Sequence, residues 1–173
     1  PGRIRPGMTE REIALAVWDA FYLHGHQGMM RMQNAGEEIF LGHVAAGDSA
    51  NYPTVFNGPL GLRGSHPVLP FLGYAGKVWE RHEPLALDCG FCLEGYHTDK
   101  TQVFWAEESL VPEEADRAQD FCLQIQEHLS SRLVPGAVPA ELYRDCVRIA
   151  LANGLGEGFM GLGRNKVGFL GHG

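Results

Sequence analysis

Helical and strand periods alternate along the chain in an order that predicts a mixed α+β fold. After Thr9, apolar residues recur at Ile13, Val17, Ala20 and Phe21, with His24 on the same face and Gly25 as the stop. Thr9 can cap this first helix. Glu12, three residues later, completes a capping box in which each side chain satisfies a backbone N–H of the other residue. Glu38 to Val44 reads as a strand, and strands near 78–91 and 96–105 flank a Gly-punctuated turn, as in a β-hairpin. A second helix is expected from near Pro112, because proline suits the first helical position. Its apolar stripe is Ala115, Ala118, Phe121, Cys122, Ile125, Leu129 and Leu133, and Pro135-Gly136 ends it. A third helix spans Pro139 to Asn153 and closes at Gly154; Val167 to Leu170 then reads as a last short strand. From Asn51 to Pro70 the chain is rich in Gly, Pro and Asn. A loop of that length inside a compact domain is often functional.

The hairpin carries the most informative pair of residues, Asp88 and Asp99. With the turn centred between Leu93 and Glu94, the two face each other across the ladder, with Cβ atoms roughly 4.5–5.5 Å apart. Carboxylates that close repel unless positive charge lies between them, and two divalent cations about 3.5–4 Å apart are a natural partner. The alternative is a pair of solvated turn carboxylates. Against it stands the apolar approach Leu85-Ala86-Leu87, which places Asp88 at the end of a buried strand. An unpaired carboxylate is costly there. His172 follows a second apolar run, between Gly171 and Gly173, and small neighbours let backbone and metal approach closely. Imidazole with carboxylates is a ligand set that suits Mn, Co, Fe or Zn.

Other motifs carry less. Cys89-Gly-Phe-Cys92 has redox spacing, but such a pair needs to open a helix, and here a hairpin follows. Cys122 and Cys146 do not form the second close pair that structural zinc requires. Gly156-Glu-Gly158-Phe-Met-Gly161 fits a dinucleotide fingerprint literally, yet it follows a helix and precedes a strand, the reverse of what that fingerprint needs. His24 of His24-Gly-His26 reads as a helix terminator, where a cationic side chain is favoured. His66, in the Gly/Pro-rich loop, is the candidate active-site histidine. His43, His82, His97 and His128 stand in no pattern.

Composition narrows the class. A length of 173 residues with 45% hydrophobic and 20% charged residues suits one domain with a substantial core. No apolar run approaches the roughly 20 residues of a membrane span, and no signal peptide is visible. A net charge of −7 argues against nucleic acid as a partner, and bound metal would neutralise part of it. Four scattered cysteines make a reducing, cytoplasmic setting the expectation. The chain opens at Pro1 and breaks off just after His172, which reads as an excerpt of a longer protein.

Taken together, these residues resemble the metallopeptidase group that contains methionine aminopeptidase, prolidase, aminopeptidase P and creatinase. Arg5-Pro6-Gly7-Met8-Thr9-Glu10-Arg11-Glu12-Ile13 is similar to that family's opening helix. Asp88-Cys-Gly90 through Gly95-Tyr96 to Asp99-Lys-Thr101 matches its first two metal ligands at the right separation, and Val167-Gly-Phe-Leu-Gly-His172-Gly173 matches the strand bearing its histidine ligand. The resemblance implies the pita-bread fold over residues 1–173, as a partial catalytic domain without the C-terminal strands. It implies that Asp88 binds one of two divalent metal ions (Mn or Co first, Zn or Fe next), that Asp99 bridges both, and that His172 binds the other. Two Glu ligands would follow the histidine motif in the family and lie beyond Gly173. His66 takes the substrate-positioning role on the assumption of a short insertion, and Gln102 stands where the family usually has Arg.

The activity so implied is that of a dinuclear aminopeptidase or dipeptidase. Asp88-x-Gly90 and the Thr-Glu-Arg-Glu helix start are more similar to the Xaa-Pro branch, and His97 before Thr98-Asp99 to the methionine branch. A metal-bridged hydroxide would attack a peptide with a free N-terminus. Prolidase-type members are often dimers, so the resemblance also implies a homodimer. Creatinase-like amidino hydrolysis uses the same fold, and a non-catalytic binding module that keeps the fold is the rival from another class. Three ligands are too few for a tight two-metal site. The 173-residue polypeptide is therefore expected to bind Mn²⁺ or Co²⁺ weakly and to be inactive, and tight binding of two metals in a titration would refute this.

Overall fold

The computed structural model describes residues 2–31, 38–52, 60–66, 73–161 and 166–171. These form two compact units, the first carrying one helix and five strands, the second two helices and the turns after them. Among the described residues, no helix is long and apolar enough to cross a membrane.

In the first unit, α1 spans Glu10–Leu23, with Thr9 as its N-cap. The capping box forms as the sequence predicts: the Glu12 N–H donates to Thr9 Oγ1 at 3.2 Å, and the Thr9 N–H donates to Glu12 Oε2 at 2.8 Å. Those bonds hold the Glu12 carboxyl below its usual range. Gly25, at φ +89°, takes the left-handed conformation that stops the helix. Five strands follow: β1 (Met30–Arg31), β2 (Glu38–Ile39), β3 (Gly42–Ala46), β4 (Leu85–Leu93) and β5 (Tyr96–Phe104). The single strand expected over 38–44 is thus two, interrupted at Phe40-Leu41, because β2 pairs with β1 while β3 pairs with β4. The hairpin's first strand starts at Leu85, later than expected. Val78 contributes only an isolated bridge to Thr9.

The sheet β3-β4-β5 is antiparallel throughout, with β4 at its centre. Side chains alternate between its faces. Leu85, Leu87 and Cys89 of β4 with Val44 and Ala46 of β3 face one side, where Ile13, Ala14 and Val17 of α1 complete the core with Leu41 and Trp79. Burying each such Leu, Ile or Val contributes about 1.5–3 kcal/mol. β3 and β4 approach so closely at Gly42 (φ +121°) that a Cβ there would lie 2.0 Å from the Asp88 carbonyl oxygen. Only glycine fits.

One carboxylate is buried inside this unit. Glu10, with 0% exposure, accepts from the backbone N–H groups of Ala46 at 2.7 Å and Tyr74 at 2.8 Å. It thereby ties the start of α1 to the end of β3 and to the segment after residue 73. Burial pushes its pKa up, against the opposing pull of those donors, Ser49 and Lys77.

The second unit contains α2 (Glu113–Arg132) and α3 (Pro139–Ala152). Pro112 is the N-cap of α2 rather than its first residue. Phe121 and Ile125 of α2 pack with Cys146 and Ala150 of α3, joined by Leu155, Phe159 and Leu170. Cys122 and Leu133, expected in the buried stripe, are exposed. The strand expected over 167–170 is absent. An apolar run becomes a strand only with a ladder partner, and no described residue pairs with it. Leu170 packs on the helical core instead, and Tyr143 Oη donates to the Val167 carbonyl at 3.1 Å.

Replacing Glu10 by Ala strips one buried and one half-buried N–H group of their acceptor, at about 1–3 kcal/mol each, so urea denaturation should show a loss of about 2–6 kcal/mol. Because the folded-state pKa of Glu10 is raised, its proton-linked stabilisation is full below the ordinary carboxylate value and is lost as pH rises through the folded-state value. Wild type should therefore lose stability relative to Glu10→Gln across that interval, and parallel pH curves for the two proteins would contradict the assignment.

Candidate metal centre

The β4–β5 turn is the two-residue loop Glu94-Gly95, closed by the pair Leu93↔Tyr96. Glu94 (φ +51°) and Gly95 (φ +84°) are both left-handed, the signature of a type I′ turn, which matches the twist of hairpin strands. The turn therefore centres one residue later than the position expected between Leu93 and Glu94. Asp88 lies opposite Thr101, and Asp99 lies opposite Gly90. The two carboxylates are diagonal neighbours rather than directly opposed, a separation of roughly 7–8 Å in place of 4.5–5.5 Å. Moving the turn centre by one residue shifts the pairing by two. An even shift keeps every side chain on its face, so Asp88 and Asp99 still share one.

That face is the one turned away from α1. On it, three residues form a row across the sheet: His43 on β3, Asp88 on β4 and Thr101 on β5. Thr101 Oγ1 donates to Asp88 Oδ1 at 2.6 Å, and His43 Nδ1 lies 4.0 Å from Asp88 Oδ2. His43 is buried; burial lowers its pKa, and the Asp88 charge acts in the opposite direction. Asp99 is exposed one rung closer to the turn. Across the strand from it, Gly90 leaves room for Met30, whose Sδ lies 1.5 Å from where a Cβ would stand.

The sequence pattern had left His43 aside. Its proximity to Asp88 depends on pairing two strands about 45 residues apart in sequence, which local periodicity does not report. Thr101 could have been found: the Glu94-Gly95 loop, read as a type I′ turn, places it opposite Asp88.

Of the other expected site residues, His66 is exposed at the end of the segment 60–66, and His172 lies outside the described residues. Among the described residues, no group of three or more His, Cys, Asp or Glu is arranged to hold a metal ion. What the face carries is two carboxylates, Asp88 and Asp99. Their oxygens suit hard or borderline divalent cations, and their shared face and like charge suit bound cations.

The two cysteines of Cys89-Gly-Phe-Cys92 are three apart on one strand and point to opposite faces. Both are free thiols. Cys89 sits in the α1 core, and burial, with Asp88 and Asp99 adding their charge, pushes its pKa up to about 12. Cys92 Sγ donates instead to Gln27 Oε1 at 3.1 Å. His26, buried beside it, accepts from the Cys92 N–H at 2.9 Å through Nδ1, while His24 is exposed at the end of α1. Neither pair is a metal clip or a redox centre.

The sequence model of metallopeptidase family M24 matches residues 1–173. A comparison with curated proteins gives no significant match. Among solved structures, the chain is similar to an X-Pro aminopeptidase from Thermotoga maritima, with TM-score 0.66 and 24% identity over 90% of this chain. It is also similar to the prolidase from Pyrococcus horikoshii, with TM-score 0.62 and 19% identity over 89%. The dipeptidase PepE from Mycobacterium ulcerans gives TM-score 0.57 and 22% identity over 91%. The chain spans 36%, 36% and 35% of those three structures, and at these identities the likeness establishes the pita-bread fold.

A thiol with a pKa near 12 is protonated at neutral pH and inert. Alkylation of the folded chain at pH 8 should modify exposed Cys122 and leave Cys89 untouched until denaturant is added. Mass mapping of the modified peptides checks this, and a Cys89–Cys92 disulfide in the native protein would contradict the opposite-face geometry.

Proposed function

The chain belongs to metallopeptidase family M24, and on that premise we propose that Asp88 and Asp99 are two ligands of a dinuclear centre that hydrolyses an N-terminal peptide bond, of the Xaa-Pro type. One observation carries the reading. Adjacent strands of one hairpin, β4 largely buried and β5 exposed, carry both carboxylates on a single face, and Thr101 donates to the Asp88 carboxylate. Asp88 and Asp99 would hold the divalent cations, with Mn or Co as the first choice of metal. Bound divalent cations would lower the pKa of a water and polarise the scissile carbonyl.

The remaining parts of the reading rest on the sequence resemblance. His172 supplies a ligand to the second metal, and two further Glu ligands complete the set. His66 helps to stabilise charge developing on the carbonyl oxygen, a role usually worth several kcal/mol in such sites, on the order of 3. The substrate is a peptide with a free N-terminus. Likeness to an X-Pro aminopeptidase, a prolidase and a dipeptidase supports that class.

The test is Mn²⁺- or Co²⁺-dependent hydrolysis of an Xaa-Pro dipeptide and of a longer Xaa-Pro peptide by the full-length parent protein. Asp88→Asn and Asp99→Asn should each lower kcat/KM by at least about 100-fold, as loss of a ligand charge that acts in the transition state does. Rates unchanged in both variants, or no hydrolysis with either metal, would favour a non-catalytic module on the same fold.

A further inference from the structure

We infer that His43 is a positioning residue for Asp88, holding its carboxylate from the β3 side and so setting how strongly this face binds a divalent cation. The inference rests on the metal-site reading above and deepens it. Asp88 is on the central strand, so it has a direct neighbour on each side: Thr101 on β5 and His43 on β3. Each addresses a different oxygen. Thr101 donates to Oδ1 at 2.6 Å, while the polar edge of His43, at Nδ1, lies 4.0 Å from Oδ2.

A carboxylate anchored at one oxygen alone can still turn about its Cβ–Cγ bond, because that torsion is broad. The second neighbour limits the turn. At 4.0 Å the His43 contact is longer than a hydrogen bond, so it acts through steric packing and the field of the ring edge. Both strengthen with burial, and the His43 side chain is only 7% exposed. The ring itself has little room to move. It belongs to β3, whose backbone is pinned against β4 by the close approach at Gly42, next in sequence. A metal ligand held by a fixed outer neighbour binds more strongly than one free to rotate, and removing such a neighbour typically lowers metal affinity 10–100-fold. A leucine would fill the space of the imidazole without its polar edge. An asparagine would restore a polar atom close to the place of Nδ1.

The experiment uses the full-length parent protein as wild type, His43→Leu, His43→Asn and Asp88→Asn. The Mn²⁺ dissociation constant and, without metal, the ¹³C resonance of the Asp88 carboxyl are measured alongside the melting temperature. We expect His43→Leu to weaken Mn²⁺ binding at least about 10-fold and to shift the Asp88 carboxyl resonance. His43→Asn should recover most of both. Should His43→Leu fail to fold, His43→Phe takes its place as the apolar variant, and a carboxyl resonance and Mn²⁺ affinity equal to those of wild type overturn the inference. Mn²⁺ binding that Asp88→Asn weakens but His43→Leu leaves intact overturns this inference alone. Binding that Asp88→Asn does not change, or no binding by wild type, overturns the metal-site reading and this inference with it. A loss in His43→Leu that His43→Asn fails to recover, with both variants folded, also overturns it, because the polar edge would then be irrelevant.

Discussion

The register of the β4–β5 hairpin is the constraint on which the site depends. Two consecutive residues, Glu94 and Gly95, adopt left-handed backbone and close the turn. For Gly95 that conformation is free; for Glu94 it carries a steric cost that the hairpin must offset. The ladder then runs without interruption from Leu93↔Tyr96 to Leu85↔Phe104. It brings Thr101 to Asp88 and Gly90 to Asp99. A slip of a single residue in pairing would send one carboxylate to the α1 face, into an apolar core that cannot solvate it. The hydrophobic packing of Leu85, Leu87 and Cys89 on α1 is thus what keeps the acidic pair on the opposite face.

A second carboxylate is used in the contrary way. Glu10 is buried on the α1 side of the fold and spends its lone pairs on backbone N–H groups of Ala46 and Tyr74. Desolvation penalises its charged form and raises its pKa, and its two backbone hydrogen bonds make it a structural acceptor. Because it ends at Ala46, it also holds the far end of β3, the strand that carries His43. Asp88, by contrast, keeps partial exposure and one oriented oxygen. The two carboxylates differ in what faces them: peptide donors for Glu10, the side chains of Thr101 and His43 for Asp88.

Much of this was legible in the linear sequence. The Thr9–Glu12 capping box, the Gly25 stop and the boundaries of α3 follow from local chemistry, and all three appear as read. The acidic pair was legible as a pair on one face, because alternation along a strand survives an error of two residues in register. Its exact spacing was not, since that depended on which two residues form the turn. The division of 38–46 into β2 and β3 was hidden because each half pairs with a different strand. The run 167–170 has strand composition but no ladder partner among the described residues, and composition does not supply one. The exposure of Cys122 and Leu133 on α2 was hidden as well, since helical period marks a face without fixing its width.

The sequence by itself determined the capping of α1, the bounds of α3, the existence of the hairpin and the family to which the chain belongs. Those properties reside in neighbours a few positions apart, where capping, turn preference and side-chain alternation act. The tertiary structure alone decided that His43 stands beside Asp88, that Asp88 and Asp99 are diagonal rather than opposed, and that Cys89 is sealed in the core. Each of those depends on which strands pair and in what register. Pairing is chosen by the burial of a whole face at once, a free energy summed over many residues that no single stretch of sequence displays.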